Sequence, residues 1–390
     1  MKITKLFSEF FNSERSSGII LILCTIASLA IVNSALGQGY LELWHAKIGF
    51  DDGGIHLKYS VEHWINDGLM AIFFLLIGLE IEREIYVGEL SDLKNASLPI
   101  FAAVGGMITP ALFHFLLNSG TETQRGFGIP MATDIAFALG VLALLGSRVP
   151  VALKVFLTAL AIIDDLGAIL VIAFFYIGDF SLVYLLLALG VFAGLLVLNY
   201  LGIKKLVFYL IPGVFMWYFM LQSGVHATLT GVLLAFAIPF GDGSEDSLSY
   251  KLQHILHKPV AFLILPLFAL ANTGILLQGN WLQGLGTPNS LGIFAGLLLG
   301  KPLGISLFSF AAIKAGLSKL ASDVSWIHIL GASFLGGIGF AMSIFITLLA
   351  FNDPAFVQSS KIAILLGSLF SGFVGFVILS RSPASFGPAE

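Results

Sequence analysis

The sequence predicts an all-α polytopic membrane fold of twelve transmembrane helices, and three observations carry that prediction. The chain is 57% hydrophobic and only 11% charged, with a mean hydropathy of +0.97; a water-soluble domain keeps about a quarter of its residues charged. Its 390 residues break into apolar runs near the ~20 residues that span a bilayer core, separated by Gly, Pro and charges. The alternating ten-residue segments of a transmembrane β-barrel are missing.

The runs fall near residues 17–36, 61–82, 96–117, 127–146, 151–177, 181–201, 206–222, 225–240, 256–277, 290–312, 327–350 and 360–381. Together they read as one transmembrane transporter domain over residues 1–390. The longest polar stretches, around 38–60 and 241–258, are too short to fold alone. Lys2 and Lys5 ahead of the first run resemble a secretory signal, but the many further spans favour an uncleaved first helix. Cys24 stands alone, which rules out an intramolecular disulfide and a Cys-based metal site. A net charge of −4 implies no nucleic-acid partner.

Lys and Arg set the orientation. With the N-terminus inside, 14 of the 19 basic residues face the cytoplasm and only Lys47, Lys58, Arg125 and Lys361 face out, Lys301 being the remaining one. Both termini are therefore expected to be cytoplasmic.

Asp134, Asp164, Asp165 and Lys301 lie well inside the expected spans. A charge at the bilayer centre costs about 2.5–3.5 kcal/mol even on the lenient insertion scale. Four isolated charges would cost on the order of 10 kcal/mol, so they must face one another, a partner dipole or water. Asp164 and Asp165 sit mid-span in the run Ile162-Ile163-Asp164-Asp165-Leu166. Neighbouring helix residues point about 100° apart, so one can line a cavity while the other turns to a neighbouring helix. Hard ions such as Na⁺ and Li⁺ prefer oxygen ligands, and a buried carboxylate can hold a proton or a metal ion in competition. The pair is expected to titrate as a coupled unit. A buried pair that merely fixes helix packing is a costly alternative. Lys301, about eleven residues into its span, is too deep to read simply as snorkelling.

Two spans look interrupted. The fourth contains Gly126-Phe127-Gly128-Ile129-Pro130 and then Thr133-Asp134; the eleventh contains Gly336-Gly337-Ile338-Gly339. Glycine lets a chain leave helical geometry and Pro130 removes a donor, although small residues also serve plain helix packing. Paired interruptions in two halves of a membrane chain point to a transport site. Broken helix ends bring partial charges into the membrane, which Asp134 and Lys301 have the charges to offset.

Four motifs, Ala132-Thr133-Asp134-Ile135-Ala136-Phe137, Ile163-Asp164-Asp165-Leu166, Gly300-Lys301-Pro302-Leu303-Gly304 and Gly336-Gly337-Ile338-Gly339 with Met342-Ser343, occur in order on separate spans. In these the chain closely resembles the NhaA family of bacterial sodium/proton antiporters, from about residue 8 to 381. The resemblance implies twelve helices, inverted repeats built from spans 3–5 and 10–12, and crossing of spans 4 and 11 at their unwound centres. It also implies a core of about 96–177 and 290–381, with interface and other spans at about 17–82 and 181–277. It implies a homodimer in the bacterial inner membrane and electrogenic, pH-regulated exchange of two protons for each Na⁺ or Li⁺ expelled by alternating access. No cofactor and no organic substrate are implied. Asp164, Asp165 and Thr133 would hold the ion and proton, with Asp134 and Lys301 compensating charge and Lys301 pairing with Asp164.

By the same resemblance Glu80, Arg83, Glu84, Gln253, His254 and His257 mark the positions of pH sensing or gating; histidine changes charge near neutral pH. Gln253 stands where an acid is expected and Glu82 where a basic residue is usual, which bears on the pH threshold and not on the transport site. The same groups could be simply solvated span ends. His226, at the start of the eighth span, reads as structural.

Three other functions fit some of these residues. An intramembrane aspartyl protease needs two carboxylates facing each other across a water, which adjacent aspartates do not provide. A channel would use carboxylates as a filter, but Lys301 in the same region and two broken spans fit alternating access better. A sodium-coupled symporter should carry an organic-substrate pocket.

Overall fold

A computed structural model of the protein describes residues 5–52, 55–178, 180–277 and 281–382; Lys2, used in the charge count above, lies outside them. The fold is all-α and polytopic. In chain order the helices are α1 (Lys5–Val32), α2 (Gly37–His45), α3 (Val61–Tyr86), α4 (Leu93–Leu117), α5 (Ile135–Leu144), α6 (Val151–Phe175), α7 (Leu182–Tyr200), α8 (Val207–Gln222), α9 (Leu229–Ala237), α10 (Leu248–Asn272), α11 (Trp281–Leu285), α12 (Pro288–Lys314), α13 (Trp326–Gly336), α14 (Phe340–Ala350) and α15 (Pro354–Arg381).

Among the described residues seven helices are long and apolar enough to cross a membrane, and up to ten spans result if each bent pair is one. This is fewer than the twelve expected. The seventh run forms only the sixteen-residue α8. The eighth, expected over 225–240, is helical only in the nine-residue α9. Its approach is taken up by tight i→i−3 turns, Leu229 to His226, Thr230 to Ala227 and Gly231 to Thr228. Nine residues at 1.5 Å rise cover about half of a ~30 Å hydrocarbon core.

The polar stretch over 38–60 is also more ordered in its described residues than expected. It holds α2, bent 114° from α1, and short antiparallel ladders that pair Lys47 with Ser60 and Ile48 with Tyr59, then Asp51 with His56 and Asp52 with Ile55.

The chain divides into two compact units, residues 1–20, 89–168 and 277–390, and residues 21–88 and 169–276. The second is built on close packing of α3 against α9. A Cβ on Gly231 would stand 2.1 Å from the Ala71 carbonyl oxygen, so these backbones meet only because no side chain intervenes. Leu75, Leu79, Tyr209, Met216, Met220 and Leu234 fill the core beside that contact.

The first unit is organised by α4 and α12. A Cβ on Gly304 would lie 2.0 Å from the Gly105 carbonyl oxygen, and one on Gly105 would lie 2.3 Å from that of Gly304. The same face of α12 carries Gly300 against Pro110. α12 is not uniform: Gly296–Gly300 is a π-helical turn, and Lys301 N–H reaches back to the Gly296 carbonyl. Pro302 has no N–H to offer the preceding turn, and the widened turn sets the direction in which Lys301 leaves the helix. The C-terminal end of the same helix closes with Gly316 at φ +74 and a Leu317 N–H to Ala312 C=O bond, the left-handed stop that favours glycine.

Candidate ion site at two broken helices

The fourth expected span is a 3₁₀ segment, Glu122–Met131, followed by three non-helical residues and α5, with a bend of 42°. The eleventh is α13 and α14, bent 43° at Gly337–Gly339. Broken helices expose N–H and C=O groups that hydrocarbon cannot satisfy. Here several such groups find protein partners. Asp134 caps α5 by accepting the Phe137 N–H at 3.1 Å, and its other carboxylate oxygen accepts the Ala341 N–H of α14 at 2.9 Å. The Asp134 N–H donates to the Ile338 carbonyl at 2.7 Å. Ser343 Oγ donates to the Ile129 carbonyl at 2.7 Å. Asp134 thus ties the two breaks together while placing negative charge at two helix N-termini.

The glycines of the eleventh span act differently from the expectation. None of Gly336, Gly337 and Gly339 has a positive φ, so backbone freedom is not what they supply. They supply room. A Cβ on Gly337 would lie 2.2 Å from Ser371 Oγ and 2.4 Å from the Leu297 carbonyl oxygen, and one on Gly339 would lie 2.1 Å from Ser343 Oγ. Pro130 packs its ring against Gly296, where a Cβ would meet it at 2.7 Å.

Asp164, Asp165, Thr133 and Lys301 are all fully buried in the same unit. Lys301 Nζ donates to Asp164 Oδ2 at 2.5 Å and also to Thr133 Oγ1. The Thr133 hydroxyl lies 2.8 Å from both Asp164 Oδ2 and the Gly336 carbonyl. It has one proton to give, so only one of those two oxygens can receive it at a time. Asp164 Oδ1 is buried without a hydrogen-bond partner; the position where Gly106 would carry a Cβ lies 4.0 Å from it. Asp165 is buried beside Asp164 in sequence, and its charge acts on Lys301. A carboxylate and a hydroxyl therefore converge on one ammonium, with the Gly336 carbonyl on the far side of that hydroxyl, a set of hard oxygens suited to a small cation. Asp164 faces an ammonium and not a second carboxylate, which leaves the protease alternative without its geometry.

The positions assigned to pH sensing fall in the other unit. Glu80 and Glu82 are buried on α3. Glu80 is hydrogen-bonded to Gln253 and Glu82 to Ser249, both on α10. Arg83 bonds Glu84 at 3.3 Å, and its charge reaches Glu80 and His257. His257 is half-buried and His254 exposed. The structure thus brings Glu80, Arg83, Gln253 and His257 together, with Glu82 and Ser249 as an adjoining pair. The sequence reading passed over Ser368, Ser371 and Gly106. Two serines three residues apart in the apolar run of α15 were the available signal for the first two.

Two broken helices that meet around a buried carboxylate–ammonium pair, in a polytopic helical chain, define a secondary-transporter type of membrane protein. The chain matches the model of the family described as Na+/H+ antiporter 1 over residues 8–379, and it belongs to that family. It is 60% identical over 379 residues to the Na(+)/H(+) antiporter NhaA 1 of Flavobacterium johnsoniae, covering 97% of each chain. It is 61% identical over 383 residues to the Na(+)/H(+) antiporter NhaA of Dechloromonas aromatica, covering 97% of this chain and 96% of that one. A similar protein of Flavobacterium psychrophilum, also a Na(+)/H(+) antiporter NhaA, is 60% identical over 379 residues.

Proposed function

We propose that the protein exports Na⁺, and Li⁺ with it, in electrogenic exchange for protons, two for each ion, by alternating access at Asp164. The observation that carries this reading is the Lys301 ammonium held on Asp164 Oδ2 and Thr133 while Asp164 Oδ1 has no hydrogen bond. The ammonium stands where a small cation would stand. A Na⁺ ion reaching Oδ1 competes with Lys301 for the same carboxylate, because two positive charges cannot share it in a low-dielectric site. Its arrival frees Lys301, and together Lys301 and Asp165 release the protons that balance the exchange. Thr133 and the Gly336 carbonyl supply the neutral oxygens once the ammonium has gone. Asp134 keeps both broken helices in register and remains hydrogen-bonded throughout.

Access alternates by movement of the unit that carries the site. Glu80, Arg83, Glu84, Gln253, His254 and His257 set the pH at which that movement begins. The family resemblance supports a homodimer in the bacterial inner membrane that needs no cofactor and takes no organic substrate. The 14-to-4 distribution of Lys and Arg supports cytoplasmic termini.

The test is a pH-sensitive dye in everted vesicles, scanned over Na⁺, Li⁺ and K⁺ at several pH values. Na⁺ and Li⁺ should release protons and K⁺ should not. Equal responses to all three, or a current larger than transporter turnover allows, would overturn the reading.

A further inference from the structure

Thr133 and Asp134 satisfy part of the backbone exposed by the break between α13 and α14. The remainder is taken by a third helix. Ser371 Oγ on α15 donates to the Phe334 carbonyl at 2.7 Å, near the C-terminal end of α13. Ser368 Oγ accepts the N–H groups of both Gly339 and Phe340, at 3.2 and 3.1 Å, at the very start of α14. Both serines are buried, and at three residues apart they share one face of α15. Each therefore holds one side of the same break: one grips a carbonyl end, the other an amide end.

We propose that Ser368 and Ser371 are positioning residues for ion binding, a two-point splint that fixes the distance between the half-helix ends flanking the site. The inference rests on the ion site proposed at Asp164. The Gly336 carbonyl that faces Thr133 lies two residues beyond Phe334, inside the segment the splint spans. Gly337 leaves no slack there, since its Cα approaches Ser371 so closely that a Cβ would stand 2.2 Å from the hydroxyl oxygen. When either grip is lost, the Gly336 carbonyl drifts from the point where the ion needs it. Asp164 and Lys301, which carry charge, are left in place. Affinity should fall while maximal rate is kept.

The experiment is reconstitution of purified full-length protein in proteoliposomes, with Na⁺-driven proton flux measured across Na⁺ concentrations. Ser371→Ala and Ser368→Ala should each raise the apparent KM for Na⁺ about tenfold, the factor expected for loss of one hydrogen bond of ordinary strength, with kcat within about twofold. Ser368→Thr, which keeps the hydroxyl, should return KM close to wild type. Ser368→Ala leaves two amides in need of a partner and is the more demanding variant to fold; Ser371→Ala leaves the Phe334 carbonyl with its bond from the Gly337 N–H, and its KM decides the matter if the first does not accumulate. Unchanged KM in Ser371→Ala overturns the inference, as does a fall in kcat at constant KM. A Ser368→Thr variant as impaired as Ser368→Ala, or failure of both alanine variants to fold, equally reduces the serines to structural support and overturns it. Absence of any Na⁺-driven proton flux in wild type would instead overturn the ion site itself.

Discussion

In the unit formed by residues 21–88 and 169–276, one polar pair away from the α3–α10 acidic cluster is neutral and satisfied on both sides. Asn66 and Asn272 exchange amide hydrogen bonds at 3.2 and 2.8 Å, and Trp217 Nε1 donates to the Asp67 carbonyl at 2.8 Å. In the unit formed by 1–20, 89–168 and 277–390, the buried groups around the breaks are charged and unevenly satisfied: Asp134 is saturated, while Asp164 keeps one oxygen without a hydrogen bond. A neutral pair satisfied on both sides only stabilises its helices. A carboxylate held on one oxygen can exchange its partner, and that property is what the proposed transport role of Asp164 rests on.

Six substitutions test that contrast, from the largest effect down. Asp164→Asn and Asp165→Asn should each abolish Na⁺-driven proton release, a loss of at least about a hundredfold given the cost of removing an ionic ligand, while the purified protein elutes as a single folded species. Full exchange by the double variant would remove Asp164 and Asp165 from the site.

Lys301→Ala should destabilise the folded protein by about 3–5 kcal/mol, because it strands a buried carboxylate. Adding Asp164→Asn should recover much of that loss, since both charges are then gone. A thermal melt in detergent reads both, and no recovery in the double variant would mean that the pair is not coupled as its geometry suggests.

Gly304→Ala places a methyl group 2.0 Å from the Gly105 carbonyl and should cost about 1–3 kcal/mol by overpacking, with a raised KM for Na⁺ because Lys301 moves with α12. Gly231→Ala makes a comparable clash with Ala71 in the other unit. It should lower the melting temperature without changing KM, and equal KM shifts in the two variants would erase the distinction between the units.

The smallest effect is Asn66→Ala, which leaves the Asn272 amide half satisfied and should cost about 1–3 kcal/mol with transport kinetics unchanged. A KM shift there would show that the neutral pair takes part in transport after all.

Composition alone required a membrane-spanning helical chain, because 57% hydrophobic and 11% charged residues cannot cover themselves with water-soluble surface. The cost of burying charge drew attention to Asp134, Asp164, Asp165 and Lys301, and the clustering of Pro130, Gly336, Gly337 and Gly339 located both breaks before any coordinates. Those signals are local: they depend on residue type and position along one helix. The number of crossing helices was not readable in the same way, since the run at 225–240 is apolar enough for a span yet winds into tight turns before α9. Nor were the antiparallel ladders within 47–60 legible, each being only two residues long.

Which aspartate meets Lys301 was implied only by the family resemblance and did not follow from the residues' spacing. Adjacency showed that Asp164 and Asp165 point differently, but choosing between them needs the direction that the π-helical turn at Gly296–Gly300 gives to Lys301. The glycines of the eleventh span were noticed for backbone freedom, whereas packing against Ser371, Leu297 and Ser343 is what demands them. Sequence by itself determined the solvent, the helices and the charged residues that have to be explained. Only tertiary structure decided their partners, because a hydrogen bond between residues 137 or 168 positions apart has no signature along the chain.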